Sequence, residues 1–145
     1  MPIKIINMAV KQIKFTITLK QDEFINLSKK IELIVRKSRI KRGICNIFSV
    51  GATSALITTE YEPGHVKDLY RALEILAPKK AKYKHHDAWK DDNGPSHVKA
   101  AFLQHSISIP ISEGELMEGT WQNIILFNLD TKERNRDVIV TLIGE

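Results

Sequence analysis

Residues Gln12–Lys20 alternate without a break. Ile13, Phe15, Ile17 and Leu19 share one face; Gln12, Lys14, Thr16, Thr18 and Lys20 share the other. A period of two belongs to a strand with one buried and one solvated face, and a helix cannot satisfy it. The period then changes. With Asp22 as N-cap, Phe24, Leu27, Ile31, Ile34 and Val35 recur at helical spacing as far as Ser38. The chain therefore opens strand, then helix.

Beyond the basic connection that ends at Gly43, Ile44–Val50 and Ala55–Tyr61 read as core strands flanking Gly51-Ala52-Thr53-Ser54. Glu62-Pro63-Gly64 starts a second helix, with Val66, Leu69, Tyr70, Leu73 and Leu76 on one stripe and Pro78 as the stop. Lys79–Ser96 shows no periodicity and is long for a loop in a small domain, a length often tied to function. A short helix over Ser96–Gln104 is followed by strands at Ser106–Ile111, Trp121–Leu129 and Val138–Ile143, the last two read as a hairpin around a charged turn. This order predicts an α+β fold, mainly an antiparallel sheet with helices packed on one side.

Size agrees with one domain over residues 1–145, since 145 residues sit near the modal domain length. Composition excludes disorder and low complexity. A net charge of +5 allows an anionic partner, a small phosphorylated metabolite or nucleic acid. Aromatic residues do not interleave with the basic ones as base stacking requires, so nucleic acid ranks last. One cysteine, Cys45, in an apolar run reads as a buried thiol in a reducing compartment. With no leader and no apolar run of membrane-spanning length, the expectation is a cytoplasmic protein without membrane contact.

Motifs for dinucleotide binding, P-loops, zincins, CxxC redox centres and serine hydrolases are absent. What remains is a concentration of ionisable groups in the long loop: His85, His86, Asp87, Asp91, Asp92 and His97, beside Asn93. Neutral imidazoles suit a divalent transition metal, and carboxylates can orient them, although the same histidines also fit an exposed loop. His97 falls where a helix begins after Pro95-Ser96, and free N–H groups there can hold phosphate. Glu60 ends a hydroxyl-rich strand, and Asp68 lies in the first turns of the second helix. Gly119-Thr120-Trp121-Gln122 offers a hydroxyl, an indole N–H and an amide. Arg134 and Arg136, two apart, share a side of any extended segment and form a candidate phosphate clamp.

From Gly43 to Glu145 the chain resembles the YjbQ-like family, also called the secondary thiamine-phosphate synthase family; residues 1–42 match only in their strand–helix pattern. The resemblance rests on the unbroken run Gly51–Gly64, on Tyr83-Lys84-His85, on Asn93–Ala100, on Ile109-Pro110-Ile111, on Gly119–Gln122, and on Arg134-Asn135-Arg136 with Gly144. It implies a homotrimer with sites near subunit boundaries. It also implies a weak ability to join hydroxymethylpyrimidine diphosphate to thiazole phosphate, giving thiamine phosphate and pyrophosphate. The family's recurring polar positions fall on Glu60, Asp68, His85, His97, Thr120, Gln122 and Arg136. On this reading His85 and His97 hold a divalent metal, zinc or magnesium. Glu60, Asp68, Thr120 and Gln122 serve catalysis, and Asn93, Ser96, Arg134 and Arg136 bind phosphate. Many members carry histidine where this chain has Gly51, which leaves the metal one ligand short if that histidine is a ligand. The alternatives are a non-enzymatic trimeric binding protein for a phosphorylated metabolite and a metal-dependent phosphate-ester hydrolase.

Overall fold

The alternating N-terminal residues form β1 (Ala9–Leu19), the outermost strand of a five-stranded antiparallel sheet, in a computed structural model that describes residues 7–145. The elements then run β2 (Phe24–Asn26), α1 (Ser28–Ser38), β3 (Gly43–Val50), β4 (Ser54–Thr59), α2 (Pro63–Leu76), α3 (Lys84–Trp89), α4 (Gly94–Leu103), β5 (Ser106–Ser112), β6 (Glu115–Leu116), β7 (Asn123–Asn128) and β8 (Arg134–Gly144). The large sheet has the order β1-β8-β3-β5-β6, and a smaller antiparallel sheet has the order β2-β7-β4.

Two cores share the small sheet. On one side Leu56, Ile124 and Leu126 meet Ile47, Val138, Val140 and Leu142 of the large sheet, together with Ile31 and Val35 of α1. On the other, Ala55, Ile125 and Phe127 pack on Leu73 of α2 and Ala100 of α4. Successive side chains of β7 thus enter opposite cores, so the strand reads as a solid apolar run rather than an alternating one. The helices lie on one side of the large sheet, as an α+β reading requires. Its outer face carries the exposed Val10, Ile44, Phe48 and Ile143 in cross-strand rows.

Three local expectations need correction. Asp22 is not a helix cap: it sits in a turn at φ 54°, and Phe24–Asn26 pairs with β7, which draws Phe24 onto the α2 side. Helix α1 starts only at Ser28, whose N–H donates to the Asn26 side chain (2.9 Å). The irregular Lys79–Ser96 segment contains α3, which buries none of its residues and so carries no apolar stripe to betray it. The C-terminal hairpin does not form. Strand β7 lies in the small sheet, while β8 begins at Arg134 and pairs along its length with β1, so the charged connection crosses between layers. By contrast, α2 starts at Glu62-Pro63-Gly64 as expected, and Glu62 caps it, accepting from the N–H groups of Gly64 and His65 at 2.8 Å each.

Phe127 is fully buried and in contact with the aromatic rings of Phe24 and Tyr70. Phe127→Ala is expected to cost about 3–5 kcal/mol in urea denaturation; unchanged stability would contradict the two-core arrangement.

Candidate functional site

The layer crossing after β7 is held by a buried polar node. Asn128 ends the apolar strand, and its amide nitrogen donates to three carbonyls, of Leu19 (3.0 Å), Lys20 (2.7 Å) and Lys132 (3.0 Å). Its amide oxygen accepts from Nε (3.2 Å) and Nη2 of Arg136. The same Nη2 reaches the Thr53 carbonyl (3.1 Å) and hydroxyl (2.8 Å). Thr53 in turn donates to Asp130 Oδ2 (2.9 Å), which also accepts from Arg134 Nε (2.9 Å). Arg136 and Asp130 are 5% and 2% exposed. Burial alone would raise the Asp130 carboxyl, but the hydrogen bonds from Thr53, Arg134 and the Thr131 N–H outweigh it and hold it below the usual aspartate range. Two arginines and one aspartate leave the node with one excess positive charge.

One nitrogen of this guanidinium is left over. Among the described residues Arg136 Nη1 makes no hydrogen bond, and it faces Gly51. A Cβ at position 51 would lie 2.8 Å from Nη1, and Gly51 has φ +140°, which side-chain-bearing residues rarely adopt. Glycine therefore keeps a buried cation open to the exposed turn between β3 and β4.

The histidines reach the same turn from α3 and α4. Gly94 opens α4, and a Cβ there would meet the Tyr83 Cβ at 2.8 Å and the His85 Cβ at 3.4 Å. Its absence lets α3 close onto α4 and lays the His85 ring on His97, centroids 4.7 Å apart and planes at 36°. His97 sits beside the backbone of Ala52. Its pKa is pulled below the usual histidine value by burial and by His85, against the opposing pull of Asp130, Asp91 and the Ala52 backbone. His85 Nδ1 lies 3.0 Å from Asp91 Oδ1 but off hydrogen-bonding geometry, leaving this buried nitrogen without a hydrogen-bond partner. Asn93, with its amide nitrogen turned toward Asp91, donates to Oδ1 (2.9 Å) and gives α4 no side-chain cap. Ser96 is buried in the first turn of α4.

The fold thus assembles His85, His97, Asn93, Ser96, Arg134 and Arg136 around residues 51–54 and the start of α4. Glu60, Thr120 and Gln122 lie at the far ends of β4 and β7, about 20 Å along the strands from the Asn128 end. The Gln122 side chain closes its own turn by accepting from the Gly119 N–H (2.7 Å), and Thr120 and Trp121 are exposed. Asp68 is exposed on α2 beside Arg71 (3.5 Å). Cys45 is buried, which with nearby Glu118 pushes its thiol up to about 12 and makes it a poor nucleophile. Asn128, Thr53 and Asp130 escaped the sequence reading, whose only signal for them was a polar residue ending the solid apolar run of β7, whereas Asp91 was already among the ionisable groups of the long loop.

The match to known proteins is extensive. A family model, the UPF0047 protein YjbQ-like family, covers residues 12–145. The chain belongs to this YjbQ-like family. A UPF0047 protein of Methanothermobacter thermautotrophicus is 34% identical over 128 residues, 88% of this chain and 87% of that protein. One from Synechocystis is 32% identical over 121 residues, 83% and 82% of the two chains. Among solved structures, a YbjQ-like protein of unknown function from Sulfolobus solfataricus superimposes with a TM-score of 0.90 at 34% identity, covering 96% of this chain and 100% of its own. A YjbQ/UPF0047 protein of Clostridium acetobutylicum gives 0.81 at 28% identity, covering 90% and 98%.

A zinc or magnesium ion resident in this YjbQ-like pocket is not matched by its donors. Among the described residues no group of three or more His, Cys, Asp or Glu side chains could hold a metal ion, so the tilted His85–His97 pair, with centroids 4.7 Å apart, lacks the further protein ligand that a resident zinc takes.

Because the folded protein resists protonating His97, this residue's contribution to stability is complete above the ordinary histidine value of 6.5 and is lost as pH falls through its lowered folded value. Proton NMR is expected to show His97 titrating below 6.5, and rising toward it in His85→Ala. A normal titration in the native protein would contradict the stacked pair.

Proposed function

We propose that the protein binds the phosphate groups of a small metabolite in the pocket formed by Arg136 Nη1, the His85–His97 pair and the start of α4. The observation that carries this reading is the buried guanidinium with one nitrogen uncovered beside Gly51. A cation already paid for by Asn128, Thr53 and Asp130 meets an anion with little further reorganisation. The α4 N-terminus adds N–H donors, and the imidazoles supply a polar wall.

The finer reading is transfer with pyrophosphate as leaving group, as the likeness to the secondary thiamine-phosphate synthases implies. The C–O bond between the pyrimidinylmethyl carbon and the diphosphate breaks, and its electron pair leaves with pyrophosphate. The thiazole nitrogen then forms the new C–N bond. An electron-rich pyrimidine stabilises the cation between these events, so the chain's task is to hold the departing anion and exclude water. Arg136 receives the charge, Arg134 supports it through Asp130, and Asn93 and Ser96 border the phosphates. Magnesium, if used, arrives as part of the pyrophosphate complex.

Glu60, Asp68, Thr120 and Gln122 belong to this reading only in a homotrimer, where one protomer's far strand ends would complete a neighbour's pocket. The exposed apolar rows on the large sheet support such an assembly. Sedimentation equilibrium is expected to give a trimeric mass; a monomer would remove these four residues from the site. No helix among the described residues is long and apolar enough to cross a membrane, and the proposed setting is the cytoplasm. The separation of the four residues within one protomer favours a second reading, a binding protein without turnover.

One assay distinguishes the readings. Protein with both substrates and magnesium is expected to form thiamine phosphate and pyrophosphate in equal amounts, and His97→Ala to abolish this. Pyrophosphate without thiamine phosphate identifies a hydrolase; binding without either product identifies the binding protein. Calorimetric affinity for pyrophosphate is expected to fall about tenfold or more in Gly51→Ala, which covers Nη1. Undiminished affinity would contradict the pocket.

A further inference from the structure

We propose that the cavity between the start of α2 and edge strand β2 is a second ligand site, taking a small planar aromatic molecule with an N–H donor on its edge. The cavity holds about 390 Å³, the size of a small-molecule site, and shares no residue with the phosphate pocket. Its walls are aromatic. Phe24 meets Tyr61 edge-on, centroids 6.1 Å apart and planes at 72°, and Tyr70 obliquely at 5.9 Å. Val66 is the buried aliphatic part of the lining. Tyr61 remains 47% exposed although it already touches another ring, so a ring surface is available to a guest.

The charged groups of the lining are Glu62 and Lys67, and of its two tyrosines Tyr70 already spends its hydroxyl on the Asp22 carbonyl (2.7 Å). Both Glu62 oxygens are fixed, one by the Gly64 N–H and the other by the His65 N–H. Those bonds hold the carboxyl below its usual range. Each oxygen keeps a second lone pair, so the cavity presents an oriented anionic acceptor beside aromatic faces. Ring faces attract cations, and a carboxylate accepts from a donor fork. Lys67 lines the same cavity and acts on the Glu62 carboxyl, so the preference comes from the fixed acceptor rather than from net charge: an aromatic amine or amidine supplies the N–H donors that it accepts, and an aromatic acid does not. The occupant is a small molecule, because the lining comes from three short stretches around residue 24, residues 61–63 and the first two turns of α2. A protein partner needs roughly 20–30 residues on each side.

Protein-observed NMR with benzamidine tests the site, with benzoate as the charge-reversed probe and acetamidine as the probe lacking a ring. Benzamidine is expected to shift the amides of Phe24 and residues 61–67 and to bind about tenfold more tightly than either control. Tyr61→Ala, a surface change, and Glu62→Gln, which keeps a capping oxygen, should each weaken it several-fold while the remaining amide spectrum stays native. Benzoate binding equally well, shifts confined to other regions, no shifts at all, or unchanged affinity in both variants would overturn the proposal. Pyrophosphate added to the same sample should neither displace benzamidine nor shift these amides, so failure of either site is read separately.

Discussion

The hydrogen bonds between Asn128 and Arg136 hold the two sheets and the candidate pocket in one frame. A buried guanidinium is costly unless most of its donors are satisfied, and Asn128 satisfies Nε and part of Nη2, leaving Nη1 toward the β3–β4 turn, while its own amide anchors the end of β1 and the β7–β8 connection. The chain can then leave the small sheet after β7 and enter the large one as β8, between β1 and β3. Arg136 arrives behind the turn between β3 and β4 with its orientation fixed. The crossing is therefore also the device that aims a cation at the surface.

Two glycines turn this support into a pocket. Gly51 leaves Nη1 uncovered, and Gly94 lets α3 come close enough for the imidazoles to stack. Both act by the absence of a Cβ, and the lining they create is cationic and polar. The aromatic cavity at the start of α2 has the opposite character, with rings for walls and a carboxylate at its edge. One α+β scaffold thus presents two chemically distinct concavities, each built on a helix start: α4 for anions, α2 with its charge already neutralised by Glu62.

Much of the fold was legible because burial leaves a period in the sequence. The alternation in β1, the stripe of α2 and the Glu62-Pro63-Gly64 start all appear where expected. The failures share a cause. Helix α3 buries nothing, and β2 is three residues whose pairing with β7 overrides the helical spacing of Phe24 and Leu27. The C-terminal hairpin was inferred from adjacency, but partner choice depends on Asn128 and Asp130, whose hydrogen bonds have no periodic signature. In the site, His85, His97 and Arg136 were visible as residue types. What brings them together is carried by Thr53, Asn128, Asp130 and two small residues, and their roles exist only in three dimensions. A metal was suggested by the two histidines, the carboxylates near them and the family resemblance; among the described residues no third ligand joins the pair, and convergence of that kind is not encoded in spacing.

Phosphate binding in this pocket requires an anion to reach the free edge of Arg136. A crystal structure of the protein with bound pyrophosphate tests this most directly. A phosphate oxygen is expected within hydrogen-bonding distance of Arg136 Nη1, beside Gly51 and His97. Pyrophosphate held only by the lysines of the 79–84 loop, with Nη1 untouched, would contradict it.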